Sequence, residues 1–282
     1  PRYHPTLRGD GAPRMLHVAG GIERMLELLA QPAVAIVGTR RASDYGMEVA
    51  YGLARGLAAS GVTVVSGLAD GIAAAVHQGA LCTGASTART VTVMAGGVDI
   101  AHPAGWRGLH RRIAEEGCAL AELPCGSAPR GWCHIGRARI VAALARVVIV
   151  VEAGEQPTEL VHARLAEASG AIAAAVPGRV SAPAARGPHL LLREGALLVR
   201  DPQDVLDALH GVGEHRVTAT RPELQPRLRA VLEQVSEGND TVAKLAGGGS
   251  PAPDMLVALA ELELSGAVVR GDGGRYVACL RG

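Results

Sequence analysis

The chain has 282 residues, of which 48% are hydrophobic and 20% are charged, with a formal net charge of +1 at pH 7. This length and balance are typical of one large or two modest globular domains and exclude an intrinsically disordered chain. No apolar run approaches the roughly 20 residues of a membrane span, no signal peptide is visible at the start, and the five cysteines are irregularly spaced. We therefore expect a cytoplasmic protein without a membrane partner and without a disulfide framework.

Apolar runs alternate with helical segments between residues 31 and 211. The runs cover residues 33–37, 62–66, 90–95, 118–122, 147–151, 171–176 and 196–199. Most of them are apolar throughout, which is typical of strands that are covered on both faces in a parallel sheet. Helices are predicted between them, for example over 47–60 and 72–82. This pattern predicts an α/β domain over 1–211 with an extended Rossmann-like, doubly wound, mostly parallel sheet.

The pattern changes after residue 211. Residues 212–226 are polar and contain two prolines, which indicates a linker. Residues 227–282 show helical stripes, including a helix over 252–265, and end in two β runs around a Gly/Asp turn. Three helices followed by a hairpin predict a small C-terminal winged-helix domain.

Two loops that follow predicted strands carry small and phosphate-binding residue types. Gly38, Thr39, Arg40 and Arg41 follow the first run, and a Ser-Gly pair at 66–67 ends the second. Glycine allows close backbone approach, free N–H groups favour an anion, and arginine offers a bidentate fork to phosphate. The pattern fits a phosphate cradle, and it also fits ordinary tight turns between strand and helix. Neither loop is a GxGxxG or Walker sequence, so dinucleotide or ATP binding has little support.

Several further residue types were weighed as sites. His77 fits a helix-packing histidine better than a ligand, and Trp106 fits either a core or an interface position. The cysteines and Cys133-His134 match no zinc spacing, so no metal or cofactor is expected. Glu122 and Glu152 end strands as a candidate carboxylate pair, but capping or loop anchoring explains them better than acid–base catalysis.

Motifs in one consistent order resemble the DprA/Smf family (DNA-processing protein A). They are VAIVGTR at 34–40, SGLADGI at 66–72, VMAGGVD at 93–99, ELP at 122–124, RARIVA at 137–142 and VPG at 176–178. The resemblance implies a non-enzymatic recombination mediator that binds single-stranded DNA, protects incoming DNA and loads the RecA recombinase during natural transformation and recombinational repair. It also implies a homodimer formed through the Rossmann-like domain.

The resemblance assigns a set of DNA-binding residues. Gly38, Thr39 and Arg40 correspond to a phosphate-contact loop, Ser66 and Gly67 line the same pocket, and Arg137 and Arg139 match the arginines of an Arg-Asn-Arg element. The expected DNA-binding set is Gly38, Thr39, Arg40, Arg41, Ser66, Gly67, Arg130, Trp132, Arg137 and Arg139.

The sequence also departs from the family pattern. Ala73 replaces an aspartate, Ala138 replaces the asparagine of Arg-Asn-Arg, and a Ser-Gly-Ser stretch is replaced at 156–159. An aromatic residue that precedes the arginines is replaced by Cys133, and the adjacent Trp132 is the candidate for stacking on a base.

Charge divides unevenly along the chain. Residues 222–282 hold six basic and eight acidic residues, a net charge of −2, whereas the rest carries +3. The candidate recognition helix at 251–265 is acidic and apolar, which suits a phosphate-lined groove poorly. We therefore expect DNA binding within 1–211 and a protein-contact or packing role for the C-terminal domain.

Two other functions fit the predicted architecture. One is a nucleotide-processing enzyme similar to the lysine-decarboxylase-like phosphoribohydrolases. Their Pro-Gly-Gly-x-Gly-Thr-x-x-Glu motif is absent, however, and residues 153–159 resemble it only weakly. The other is a transcription regulator with a ligand-sensing α/β domain and a winged helix.

Overall fold

Aliphatic runs form the centre of the protein, whose computed structural model describes residues 13, 15–84, 88–156, 160–217, 226–246, 251–264, 267–271 and 274–278. The chain divides into two compact units, one up to Thr218 and the other from Ala219 to Arg281. The predicted linker lies in part at 218–225, outside the described residues, and its assignment stays a prediction.

An eight-stranded sheet organises the larger unit. Its strands are β1 (His17–Ala19), β2 (Ala33–Val37), β3 (Thr63–Gly67), β4 (Thr90–Val93), β5 (Cys118–Ala121), β6 (Ala145–Val150), β7 (Ile172–Ala175) and β8 (Leu197–Leu198). The spatial order is β1-β5-β4-β3-β2-β6-β7-β8. All neighbours are parallel except β1 and β5, which are antiparallel. The predicted mostly parallel α/β sheet is thus confirmed.

One strand of the sheet was not predicted, and several strands end at other residues than predicted. β1 has only three residues and none of them is fully buried, so no apolar run announces it. The last predicted run, at 196–199, forms only the two-residue strand β8. The run at 33–37 coincides with β2, and the remaining predicted runs overlap strands whose ends differ by one or two residues, as in β3 and β6.

Helices cover both faces of this sheet, as the connections between parallel strands require. They are α1 (Ile22–Leu28), α2 (Asp44–Ala59), α3 (Ile72–Leu81), α4 (Arg107–Glu116), α5 (Cys133–Leu144), α6 (Val161–Ser169), α7 (Arg186–Arg193) and α8 (Pro202–His210). None of the helices in the described ranges is long and apolar enough to cross a bilayer.

The core of the larger unit is aliphatic, as a chain without Phe requires. One cluster joins strand residues such as Val65 and Val148 to Leu144 of α5 and Leu191 of α7. A second cluster includes Leu81 and Ile113 under α3 and α4. Burial of the strands on both faces explains why they are apolar throughout rather than alternating.

The strand order places a crevice at one edge of the sheet. From β2 the chain adds β3, β4 and β5 on one side, and it then returns to add β6, β7 and β8 on the other. In doubly wound sheets, ligands bind outside the carboxyl ends of the strands at such a switch point. The loops that follow β2, β3 and β6 are therefore the first place to look for a site.

The smaller unit contains α9 (Pro226–Ser236), α10 (Val242–Ala246), α11 (Ala252–Leu264) and the antiparallel strands β9 (Val268–Arg270) and β10 (Tyr276–Ala278). Leu228, Leu259 and Tyr276 belong to its apolar core. This order agrees with the expected three helices and two β runs. The predicted turn residues 272–273 lie outside the described residues, and the winged-helix assignment stays a prediction.

Candidate nucleic-acid interface

The loop after β2 is tied to the loop after β6. Thr39 N donates a hydrogen bond of 2.7 Å to Glu152 O. A Cβ atom at Gly38 would lie 2.6 Å from Ile72 Cγ1 and 2.8 Å from Glu152 O, so no larger residue fits there without movement. Gly38 is therefore required for close packing against Ile72 and Glu152, and its approach to a ligand stays a prediction.

A buried carboxylate fixes the same loop to α2. Glu152 accepts hydrogen bonds from Ser43 N at 2.9 Å and from Ser43 Oγ at 2.5 Å, and it is only 5% exposed. Ser43 in turn accepts a hydrogen bond from Gly46 N as the N-cap of α2. Loop anchoring, rather than acid–base chemistry, is what the structure gives Glu152.

Arg137 lies directly on the peptide of Gly67. A Cβ atom at Gly67 would lie 2.7 Å from Arg137 Cζ, so the glycine makes room for the guanidinium. Arg137 Nη1 donates to Leu68 O at 3.3 Å, and Nε is buried without a hydrogen-bond partner among the described residues. Burial and the nearby Arg40 lower the pKa of Arg137 to about 10. The structure thus brings Arg40 and Arg137, 97 residues apart in sequence, to the ends of neighbouring strands.

The end of β3 is held from below by His77. Its Nε2 lies 3.0 Å from Gly67 O and its Nδ1 lies 2.8 Å from Thr90 Oγ1. Burial lowers the pKa of His77 to about 4, so the ring is neutral at pH 7. Ser66 is also buried, and its hydroxyl donates to Ile36 O at 2.7 Å. Both side chains are used within the fold, and Ser66 does not present its hydroxyl to a ligand in this conformation.

Arg139 has a different environment from Arg137, although the two were grouped by sequence. Its Nη2 donates to both carboxylate oxygens of Glu122, at 2.8 and 2.7 Å. Glu122 directly follows β5 and Arg139 lies on α5, so the packing of α5 over the sheet creates this ion pair. The pair partly neutralises Arg139 as a phosphate ligand.

The remaining predicted residues lie on the surface. Arg40, Arg41 and Arg130 are exposed, and Trp132 is 63% exposed. Trp132 directly precedes α5, one turn before Gly136 and Arg137. An exposed tryptophan beside basic groups suits stacking on a base.

Two histidines near Arg137 were not predicted as site residues. His134 lies one turn before Arg137 on α5, and His162 lies in the first turn of α6. Burial, and secondarily Arg137, lowers the pKa of His134 and lowers that of His162 to about 4. The sequence signal for His134 was present, but it was considered only as a metal ligand beside Cys133.

The described ranges contain no group of three His, Cys, Asp or Glu residues that could hold a metal ion. Cys118 and Cys133 are buried, and burial raises the pKa of Cys118 to about 12, so its thiol is unreactive near neutral pH.

Comparison with known proteins gives one consistent family. The model of the family described as DNA recombination-mediator protein A matches residues 1–210. The putative DNA processing protein DprA of Mycobacterium tuberculosis is 41% identical over 255 residues, which cover 88% of this chain and 65% of that protein. The chain thus spans slightly less than two thirds of the length of that relative. Protein Smf of Escherichia coli is 34% identical, with coverage of 90% and 70%.

Solved structures agree with this result. DNA processing protein A from Streptococcus pneumoniae superposes with a TM-score of 0.68 at 34% identity, covering 73% of this chain and 71% of that one. DNA processing protein A from Helicobacter pylori, whose single-stranded DNA binding mode has been described structurally, gives a TM-score of 0.65 at 28% identity, with coverage of 74% and 93%. Because the family model covers most of the chain, this protein belongs to the DNA recombination-mediator protein A family, also named DprA or Smf.

Proposed function

We propose that this chain binds single-stranded DNA at the carboxyl edge of its sheet and acts there as a recombination mediator. The observation that carries the proposal is the pair Arg40 and Arg137. Arg40 is exposed, Arg137 is half-buried, and neither has a carboxylate partner among the described residues. Two adjacent guanidinium groups without a counter-charge are stabilised by an anion such as a phosphodiester.

The surroundings of this pair support a strand rather than a small ligand. Gly67 leaves room for the guanidinium of Arg137, and Trp132 exposes a ring on which a base can stack. Arg41 and Arg130 add exposed positive charge along the same edge. Phosphate contacts plus an aromatic platform are the usual elements of sequence-independent single-strand binding. The described single-strand binding of the Helicobacter pylori relative is consistent with this role.

The proposal includes no catalysis. Glu122 is paired with Arg139 and Glu152 is bonded to Ser43, so both candidate carboxylates already serve structural contacts rather than facing each other as an acid–base pair. If the chain were instead a phosphoribohydrolase-like enzyme, it would release free base from nucleoside monophosphates. We expect no release above that of a buffer control.

Loading of RecA, protection of incoming DNA, the homodimer and a cytoplasmic location are further parts of the proposal. They come from the family relationship, and no residue of this chain is assigned to them. A role as a regulator that binds duplex DNA is less well supported because α11 is acidic. The basic residue Arg227 is already engaged by Glu261 of α11 at 2.7 Å.

Titration of a fluorescently labelled oligo-dT tests the proposed binding site. We expect Arg40→Ala to weaken binding about tenfold, because one charge-assisted phosphate contact is lost. The matched control is Arg146→Ala, which removes an exposed arginine near the amino end of β6, at the opposite edge of the sheet. The site is misassigned if Arg40→Ala binds as the wild type does, or if Arg146→Ala weakens binding equally.

A further inference from the structure

His134 and Arg137 share an unusual feature at the start of α5. His134 Nδ1 and Arg137 Nε are both buried, and neither has a hydrogen-bond partner among the described residues. The two residues are three positions apart on a helix, so their side chains lie on the same face. An unpaired buried polar atom costs roughly 1–3 kcal/mol. Two such atoms on one face of the same helix indicate a place where a ligand completes the hydrogen bonding.

The charges around His134 show which kind of ligand fits. Burial lowers its pKa most, and electrostatic interactions with Arg137, Arg40 and, last, His102 lower it further. These groups come from α5, from the loop after β2 and from the segment after β4. Arg137 also lowers the pKa of His162, which lies on α6. A site flanked by the guanidinium groups of Arg40 and Arg137, which come from two different elements, is complementary to an anion.

Among the described residues, the carboxylates at this edge of the sheet are bonded to other groups and do not pair with Arg40 or Arg137. Glu152 is held by Ser43, and Asp70 Oδ1 accepts a hydrogen bond of 2.8 Å from Trp106 Nε1. Glu122 is occupied by Arg139. Within the described residues, no carboxylate forms an ion pair with Arg40, Arg137 or His134.

We propose that His134 is a further phosphate ligand, which joins Arg137 and Arg40 around one phosphodiester of single-stranded DNA and takes up one proton when the DNA binds. The inference rests on the proposed function and deepens it. The phosphodiester stays a monoanion near neutral pH, so the proton comes from solvent and goes to the imidazole. Only the imidazolium has two N–H donors, and it is therefore the form that both satisfies Nδ1 and attracts the phosphate.

The direction of the pH dependence follows from linkage. In the free protein the pKa of His134 lies below its ordinary value, so the ring is mostly neutral at pH 7. A bound phosphate opposes the neighbouring cations and raises that pKa. Binding then takes up a proton, and affinity increases as the pH falls toward 6.

Titration of labelled oligo-dT at about pH 8 and about pH 6, at constant ionic strength, tests the proposal. We expect the wild type to bind about three- to fivefold more tightly at the lower pH, because a rise of about one unit in the pKa has its full tenfold effect only well below both pKa values. His134→Gln keeps a polar side chain that does not titrate, and it should remove this pH dependence. The matched control is His210→Gln, which removes another histidine of lowered pKa from the far end of α8 and should keep it.

Three results would overturn the assignment: pH-independent binding by the wild type, an unchanged pH dependence in His134→Gln, or loss of the pH dependence in His162→Gln with His134→Gln behaving as wild type. Thermal unfolding of each variant confirms that it is folded at both pH values. Binding that depends on Arg40 but not on pH would refute only the role of His134. Failure of the wild type to bind oligo-dT at either pH would refute the proposed function as well.

Discussion

Arg137 is held in a position that favours ligand binding over stability. Its guanidinium is largely surrounded by protein, makes one hydrogen bond at 3.3 Å and faces Arg40 rather than a carboxylate. A charge that is buried without a partner destabilises the folded state, and its lowered pKa expresses the same cost. Such residues are typical of binding sites, where stability is given up for affinity.

Arg137→Met therefore separates stability from binding. We expect the free energy of unfolding to rise by roughly 1 kcal/mol, because the unpaired charge is replaced by an apolar chain of similar length. Single-strand affinity should fall by about tenfold or more. Urea unfolding and oligo-dT titration measure the two effects, and a less stable variant with wild-type affinity would contradict this view of Arg137.

Arg139 is expected to matter less than Arg40. Its guanidinium is engaged by Glu122 at 2.7 Å, and both side chains are about one-third exposed. Arg139→Ala should weaken oligo-dT binding no more than about threefold and lower stability by at most about 1 kcal/mol, as for other partly exposed ion pairs. A loss equal to that of Arg40→Ala would show that Arg139 leaves Glu122 to contact DNA.

At this scale the sequence predicted residue types better than residue environments. It selected Arg40, Arg137 and Arg139 together. The separation of Arg137 from Arg139 depends on how α5 packs, because only packing brings Glu122 within reach of one of them. In the same way, a hydroxyl at position 66 suggested a pocket, but its direction in β3 turns it toward Ile36 O.

The start of α2 connects helix capping to the candidate site. Ser43 caps α2 and holds Glu152, and the backbone of Glu152 holds Thr39 beside Arg40. Removing this hydroxyl leaves a buried carboxylate with one donor fewer and a helix without its cap.

We expect Ser43→Ala to lower the free energy of unfolding by about 1–2 kcal/mol and to weaken oligo-dT binding through the loss of loop order. The control is Ser169→Ala, whose hydroxyl bonds only to Ala166 O within its own helix and which should change either quantity little. Equal stability of the two variants in urea would refute the anchoring role of Ser43.

Elements were predicted where hydrophobic burial alone decides them. The runs at 33–37 and 90–95 contain β2 and β4 because strands covered on both faces must be apolar. β1 escaped prediction because a three-residue edge strand is defined by its hydrogen bonds to β5 rather than by burial. No local pattern in His17–Ala19 contains that information.

The two compact units differ in charge, and this difference bears on where DNA binds. The basic groups of the candidate site all belong to the larger unit, while the smaller unit, residues 219–281, holds seven basic and eight acidic residues and carries a net charge of −1. Lys244 and Arg227 of the smaller unit are already paired with Asp240 and Glu261.

Deleting residues 222–282 should therefore leave most of the single-strand affinity, within about threefold of the full chain. Titration of oligo-dT at one salt concentration measures this directly. Near-total loss of binding by the folded truncated chain would place an essential contact in the smaller unit, contrary to its acidic character.

Phosphate binding at the carboxyl edge of the sheet predicts an affinity for single-stranded DNA that depends on salt. Oligo-dT affinity of the wild type and of Arg40→Ala is to be measured between about 50 and about 200 mM salt. Each phosphate contact contributes about −0.7 to the slope of log affinity against log salt for a single strand. We predict a clearly negative slope for the wild type that becomes shallower by about 0.7 in Arg40→Ala. A salt-independent affinity, or identical slopes for the two proteins, would contradict phosphate binding at this edge of the sheet.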